Sequence, residues 1–325
     1  MKKPCIAITM GDPSGVGPEI VVKTLLKWDI PAQPVVIGDR RVLNLVEEIV
    51  GASVTWGEGE STPFLCSLET FDFSAFRWGV ISDWGGKASF EYIKKAVELA
   101  MKREIDAVVT APINKESLHR AKVPFIGHTE ILENLTRTPQ AQTMFQVGDL
   151  RVFFLTRHLS LKDAVQRITK QEIISFLPLM VKHLKKLGIE QPQVAISALN
   201  PHAGEGGLLG EEEDKEIMPA IHLAREKGIQ VFGPFPADSI FWSVFQNKNF
   251  DAVLSLYHDQ GHIATKCLDF YGTVSVTLGL PFIRTSPDHG TAFDIAGRGQ
   301  ANPASLLEAS RFAAQYAFSY QQNNS

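Results

Sequence analysis

Apolar positions along this chain follow two alternating rhythms. Short runs such as "CIAITM", "PVVIGD" and "DAVVTAP" each precede a stretch in which apolar residues recur every three or four positions: "PEIVVKTLLKW", "RRVLNLVEEIV" and "NKESLHRA". Strand-length runs feeding helical periods predict crossover units, in which a helix carries the chain back over a sheet to begin the next parallel strand. The second half repeats the pattern with "QVAISAL", a helix over about 211–227, "IQVFGPF", "DAVLSLY" and a closing helix over about 303–320. The fold class is therefore α/β, with mostly parallel sheets and helices on both faces. One stretch breaks the rhythm. "TMFQVGDLRVFFLT", from Thr143 to Thr156, is two apolar runs joined by Gly-Asp, which predicts a β-hairpin.

Composition narrows the class. A chain of 325 residues, 44% hydrophobic and 21% charged, can bury a substantial core and has the length of two domains. Its formal net charge of -4 offers no footprint for a nucleic-acid backbone. The three cysteines, Cys5, Cys66 and Cys267, are odd in number and lack metal-type spacing, which points to reduced thiols in a cytoplasmic protein. The apolar run near the N-terminus is cut at Gly11 by "GDPSG", too early for a signal peptide or a membrane span, and reads as a first strand.

Most of the nine histidines have an ordinary explanation. His119, His183 and His222 lie in helical patterns beside basic residues and read as surface or boundary positions. His158 in "FFLTRHLSL", His202 in "SALNPHAGEGG" and His258 in "LSLYHDQGH" are different, because each follows an apolar strand. A parallel sheet could bring three strand ends to one edge, and neutral imidazoles so gathered can hold a divalent metal with open positions. Singly, each is more simply a hydrogen-bonded strand-end residue. Gly204, Gly206 and Gly207 follow His202 and permit a sharp turn with positive φ.

Phosphate-type signals are dispersed. "TMGDPSGVGPEI" sets glycines and Ser14 between a strand and a helix, where N–H groups can face an anion, though its spacing is neither a dinucleotide fingerprint nor a Walker loop. "GHTE" offers Thr129 as an N-cap with His128 beside it, and Lys266 and Arg284 supply positive charge. The stretch from Asp288 to Ser305, "DHGTAFDIAGRGQANPAS", is long, polar and glycine-rich, the kind of structured loop that tends to carry function.

Together "ITMGDPSGVGPEI", "TAPINKESL", "GHTEIL", "NPHAGEGG", "YHDQGHIATK" and "GLPFIRTSPDHGTAFDIAG" resemble, in order and over nearly the whole chain, the 4-hydroxythreonine-4-phosphate dehydrogenase family of vitamin B6 biosynthesis. The loop "HGTAFDIAGRGQANP" is also similar to the adenine-side loop of isocitrate and isopropylmalate dehydrogenases, which bind NAD without the Rossmann glycine pattern. The resemblance implies a fold of that type, with a cofactor-side domain over 1–135 and 285–325, a dimerisation and metal/substrate domain over 136–284, and an active site in the cleft between them. It implies that His158, His202 and His258 hold one divalent ion, zinc, magnesium, manganese or cobalt. Substrate contacts would fall on His128, Thr129, Lys266 and Arg284, and contacts to NAD or NADP on Gly290, Thr291, Asp294 and Asn302. A homodimer with its active site at the subunit interface follows, the last of the three histidines reaching across; no nucleic acid or membrane partner is expected.

The implied reaction is metal- and NAD-dependent oxidation of 4-phosphohydroxy-L-threonine at C3, then decarboxylation to 3-amino-2-oxopropyl phosphate. Lys266 and Asp238 are the candidates for proton transfer, with phosphate pairing and a helix N-cap as their plainer roles. Ser275 departs from the asparagine common in the family, in the strand between Lys266 and Arg284, and replaces a carboxamide by one hydroxyl. Similar proteins act on 4-phospho-D-threonate or 4-phospho-D-erythronate, so the same chemistry on those acids is an alternative. A phosphate acyltransferase of related architecture is a second.

Overall fold

The computed structural model describes residues 3–57 and 62–322. The chain forms β1 (Cys5–Thr9), α1 (Gly17–Leu26), β2 (Gln33–Gly38), α2 (Arg40–Val50), β3 (Phe64–Ser67), α3 (Asp83–Met101), β4 (Ala107–Thr110), α4 (Lys115–Arg120) and α5 (His128–Thr136). It continues through β5 (Gln142–Val147), β6 (Leu150–Phe154), α6 (Leu161–Arg167), α7 (Lys170–Lys186), β7 (Val194–Ser197), α8 (Met218–Glu226), β8 (Val231–Phe235), α9 (Ala237–Asn247), β9 (Ala252–Ser255) and α10 (His258–Leu268). It ends with β10 (Val274–Leu278), β11 (Ile283–Pro287) and α11 (Ala304–Gln322).

Two compact units result: Met1–Gln142 with Val274–Ser325, and Thr143–Thr273. The first unit has strand order β3-β2-β1-β4-β11-β10, parallel except for the antiparallel β10–β11 pair. The second has order β5-β6-β9-β7-β8, parallel except for β5–β6. That antiparallel pair is the hairpin expected from the Gly-Asp junction, Val147 lying opposite Leu150 and Gly148 taking φ 53°. β10 and the whole of β11 belong to the first unit, so Ser275 and Arg284 do as well.

Central parallel strands read as unbroken apolar runs because both faces are covered. β4, β7 and β9 are buried at every position, and in β1 only Cys5 is less than buried. Side chains such as Ile6, Ile8, Ile196 and Leu254 each contribute about 1.5–3 kcal/mol by leaving water. Helix starts are locally encoded: Asp39 accepts the Arg41 N–H at 2.9 Å to open α2, Ser82 the Gly85 N–H at 3.1 Å to open α3, and Asn114 the Ser117 N–H at 2.8 Å to open α4.

Three readings need correction. His183, taken as a surface or boundary residue, is only 6% exposed on α7, where burial and then the nearby Lys186 and Lys182 bring its pKa down to about 4. Thr129 is not an N-cap; Gly127 occupies that position and α5 begins at His128. Nor does Asp238 cap a helix, since α9 is preceded by Pro236 and Asp238 lies exposed in its first turn.

Candidate active site

Arg284 on β11 lies opposite Thr277 of β10 and beside Val108 of β4. Residues two apart on a strand share a face, so Thr110, Ser275, Thr277, Arg284 and Ser286 all project to the same side of the first unit's sheet. The buried Arg284 guanidinium donates through Nε to Thr110 Oγ1 at 3.1 Å and through Nη1 to Thr277 Oγ1 at 3.0 Å. Burial alone draws its pKa down to about 9, with no carboxylate among the described residues offsetting it, so it stays charged at neutral pH. A desolvated cation satisfied by hydroxyls is prepared for an anion.

His128 opens α5 in the same neighbourhood. Burial, and then the charge on Arg284, hold its imidazole well below the ordinary histidine range, while a hydrogen bond to the Ala111 backbone opposes them weakly. The ring is therefore neutral. Its Nε2 is buried without a hydrogen-bond partner among the described residues, leaving an atom free for a substrate hydroxyl or phosphate oxygen. Thr129 follows in the first turn, half-buried.

The glycine segment after β1 does not form the anion seat its spacing suggested. Residues 10–20 are buried, Ser14 N–H donates to Asp12 Oδ1 at 3.0 Å, Gly15 N–H to the Asp12 carbonyl at 3.0 Å, and Val16 N–H to the Thr291 carbonyl at 2.9 Å. The protein's own acceptors have taken those donors. Asp12 is fully buried, and burial pushes its carboxyl up to about 6 against the lowering effect of Ser14 and Ser117. The long loop from Asp288 docks on this segment: Thr291 is buried, Asp294 and Arg298 are exposed, and Asn302 Oδ1 accepts the Ala304 N–H at 3.0 Å, opening α11. Gly290 has open space around it.

In the second unit, β6, β7 and β9 end at Phe154, Ser197 and Ser255, four, five and three residues before His158, His202 and His258. The rings of His158 and His258 lie 6.0 Å apart and line one cavity of about 300 Å³ with Arg157, Leu159, Tyr257 and Asp259. His258 Nδ1 is 2.7 Å from Asp259 Oδ1, an arrangement that makes Nδ1 the donor and leaves the Nε2 lone pair for a metal. Two of the expected ligands therefore share one cavity. His202 does not join them: among the described residues no three of His, Cys, Asp and Glu are grouped to hold a metal.

His202 opens a left-handed turn in which His202, Ala203, Gly204, Glu205 and Gly206 all have positive φ. Such a run is strained for the three residues that carry a Cβ, so something must hold it. Glu213, buried in a short π-helical turn over 213–217, does so. Its Oε1 accepts the N–H groups of Leu199 and Asn200, each at 2.8 Å, and its Oε2 accepts Asn200 Nδ2 at 2.9 Å. Gly204 passes so close to Glu213 Oε2 that a Cβ there would sit 2.9 Å away.

Sequence reasoning passed over Glu213, Asp12 and His262. His262 stacks on His258 and packs against Phe145 and Phe154; its spacing of four from His258 on a helix was the available signal. Asp238 is exposed on α9, and Lys266 on α10 places its Nζ 5.3 Å from the centre of the Phe270 ring.

A family model described as "Pyridoxal phosphate biosynthetic protein PdxA" matches residues 31–313. The chain belongs to the PdxA family. A curated relative from Halalkalibacterium halodurans, named "Putative D-threonate 4-phosphate dehydrogenase", is 49% identical over 97% of this chain and 98% of its own length. Among solved structures, the 4-hydroxythreonine-4-phosphate dehydrogenase from Klebsiella pneumoniae matches with a TM-score of 0.86 at 36% identity, covering 97% of this chain and 98% of that one. The enzyme of that name from Burkholderia phymatum matches at 0.83 and 40%, covering 97% and 99%. This PdxA-family chain is thus a dehydrogenase, a class that works with a nicotinamide cofactor, and the acyltransferase alternative is set aside. Among its described residues no helix is long and apolar enough to cross a membrane.

Proposed function

We propose that this chain is a metal- and NAD-dependent dehydrogenase that oxidises the C3 hydroxyl of a 4-phosphorylated four-carbon hydroxy acid, with D-threonate 4-phosphate as its substrate. The observation that carries the reading is Arg284, buried and charged, bound among the described residues to the hydroxyls of Thr110 and Thr277 and adjoined by a neutral His128. A phospho-acid, carrying both a phosphate and a carboxylate, supplies the missing counter-charge. The choice of the hydroxy acid over 4-phosphohydroxy-L-threonine is supported by Ser275, on the same face as Arg284, and by the name of the Halalkalibacterium relative. A serine hydroxyl can donate to or accept from a C2 hydroxyl, whereas a side-chain carboxamide oxygen suits an ammonium.

Arg284, His128, Thr129 and Ser275 bind and orient the acid. His158, His202 and His258, gathered in a homodimer, are the proposed holders of a divalent ion, whose chemistry when bound would be to acidify the C3 hydroxyl and polarise the resulting ketone. Asp238 accepts the hydroxyl proton and Lys266 pairs with substrate charge or returns a proton. Gly290, Thr291, Asp294 and Asn302 would hold the dinucleotide, which would supply the hydride acceptor. Oxidation at C3 leaves a ketone β to the carboxylate; loss of C1 as carbon dioxide and protonation of C2 give dihydroxyacetone phosphate. A dimer is supported by the exposed apolar side chains of two helices packed together in the second unit, Trp242 on α9 at 59% and Ile263 on α10 at 61%. Three free cysteines suit a cytoplasmic setting.

The test compares NADH formation from D-threonate 4-phosphate, D-erythronate 4-phosphate and 4-phosphohydroxy-L-threonine, with and without a chelator. Chelator-sensitive turnover greatest on D-threonate 4-phosphate is expected. Preference for the amino acid would move the protein to vitamin B6 synthesis, and turnover of none would overturn the reading.

A further inference from the structure

We infer that Glu19 and Lys23, one turn apart on α1, are positioning residues that set the binding conformation of the 288–303 loop and thereby its affinity for the dinucleotide. The inference rests on the proposed assignment of the cofactor to that loop. Between β11 and α11 the loop contains no strand or regular helix, so its shape depends on what it is tied to. Glu19 Oε1 accepts the Ala301 N–H at 2.7 Å and Oε2 accepts the Gly299 N–H at 3.2 Å. Lys23 Nζ donates to the Gly299 carbonyl at 2.8 Å, the Ala301 carbonyl at 2.9 Å and Glu19 Oε1 at 2.7 Å. One acid and one base thus satisfy both the donors and the acceptors of the same two loop residues.

The other end of the loop is fixed separately. Val16, the residue before α1, donates its N–H to the Thr291 carbonyl at 2.9 Å. Midway, Gly297 adopts φ 72° and lies flat on Trp78, where a Cβ would come within 2.4 Å of the ring. The exposed Asp294 and Arg298 therefore stand on a span whose two ends are anchored to a single helix. Glu19 is 1% exposed and Lys23 19%, so neither residue is an ordinary solvated surface charge. A pair this enclosed loses little to screening, and the hydrogen bonds it makes are charge-assisted. Neither side chain needs to touch the ligand, because a loop already ordered has less conformational entropy to lose on binding.

The experiment measures NAD binding by calorimetry, separate KM values for NAD and for the phosphorylated acid, and amide hydrogen exchange over 288–303. It uses the full-length wild type and the variants Lys23→Met, Lys23→Arg and Glu19→Gln. For Lys23→Met and Glu19→Gln we expect the NAD Kd and KM to rise by about tenfold or more, and exchange at Gly299 and Ala301 to accelerate. The KM for the acid and kcat at saturating NAD should move by less than about twofold. Lys23→Arg keeps the donors and should recover most of the NAD affinity. Equal losses for both ligands, or unchanged NAD affinity where exchange shows the loop released, would overturn the inference. A wild-type protein that binds no NAD would instead overturn the cofactor assignment beneath it. Should Glu19→Gln fail to fold, the partly exposed Lys23 variants decide the matter.

Discussion

The imidazole of His262 stacks on that of His258 with ring centres 3.9 Å apart and planes 17° apart. On its far side His262 meets Phe145 at 4.2 Å and Phe154 at 4.8 Å, so the apolar core of the second unit reaches the proposed metal ligand through one ring. Replacing His262 with Leu should weaken divalent-metal binding by about tenfold, as loss of an orienting partner does. His262→Phe keeps a flat ring and should retain most of the affinity. Calorimetric titration of metal into the apo-protein distinguishes the two; equal loss in both would mean that the ring does more than orient His258.

Arg284→Met separates binding from folding. The variant removes a buried charge with no carboxylate partner among the described residues, so its Tm should hold or rise. Its kcat/KM for the phosphorylated acid should fall by about a hundredfold or more, because the substrate loses a charge-assisted bidentate partner. A large drop in Tm together with a small drop in kcat/KM would make Arg284 structural.

His183 makes the second unit sensitive to acid. Its pKa is about 4 in the folded chain against 6.5 for an ordinary histidine, so folding favours the neutral ring. The associated stability is complete above pH ~6.5 and is lost as the pH falls toward 4. At pH 5 this loss is about 2 kcal/mol. Denaturant titrations of His183→Leu at pH 7 and pH 5 should therefore differ less than those of the wild type.

Asp12 works in the opposite direction. Its pKa, raised from 3.8 to about 6, means that the folded state resists ionisation, so the penalty is absent at low pH, grows between 4 and 6 and is constant above that. Asp12→Asn can still accept the Ser14 N–H and should stabilise the chain by up to about 3 kcal/mol at neutral pH, with the gain vanishing near pH 4. A gain independent of pH would place the ionisation elsewhere.

The parts legible in the sequence were those written in local pattern. Alternating runs gave the α/β class, the Gly-Asp junction gave β5–β6, and the positions of His158, His202 and His258 after β6, β7 and β9 followed from counting past apolar runs. What escaped depends on contacts distant along the chain. Arg284 and Thr110 are 174 residues apart, and Glu19 and Ala301 282, so neither pairing leaves a periodic trace. His183 was misread because lysines beside a residue on a helix say nothing of the face it occupies. Glycine spacing after β1 suggested an anion seat, but it could not reveal that Asp12 already accepts from that segment.

The two-piece construction of the first unit, Met1–Gln142 and then Val274–Ser325, bears on how the chain is made. β4 pairs with β1 on one side and β11 on the other, and β11 is not synthesised until after the whole of the second unit. At ~5–20 residues per second, the ribosome needs on the order of ten seconds to cover that interval. During this time β4 presents a buried-type apolar edge with its neighbour missing, while the uninterrupted second unit can already close. The nascent chain is therefore most vulnerable to aggregation in its first half, which makes elongation speed and chaperone access at that edge, as well as final stability, determinants of yield.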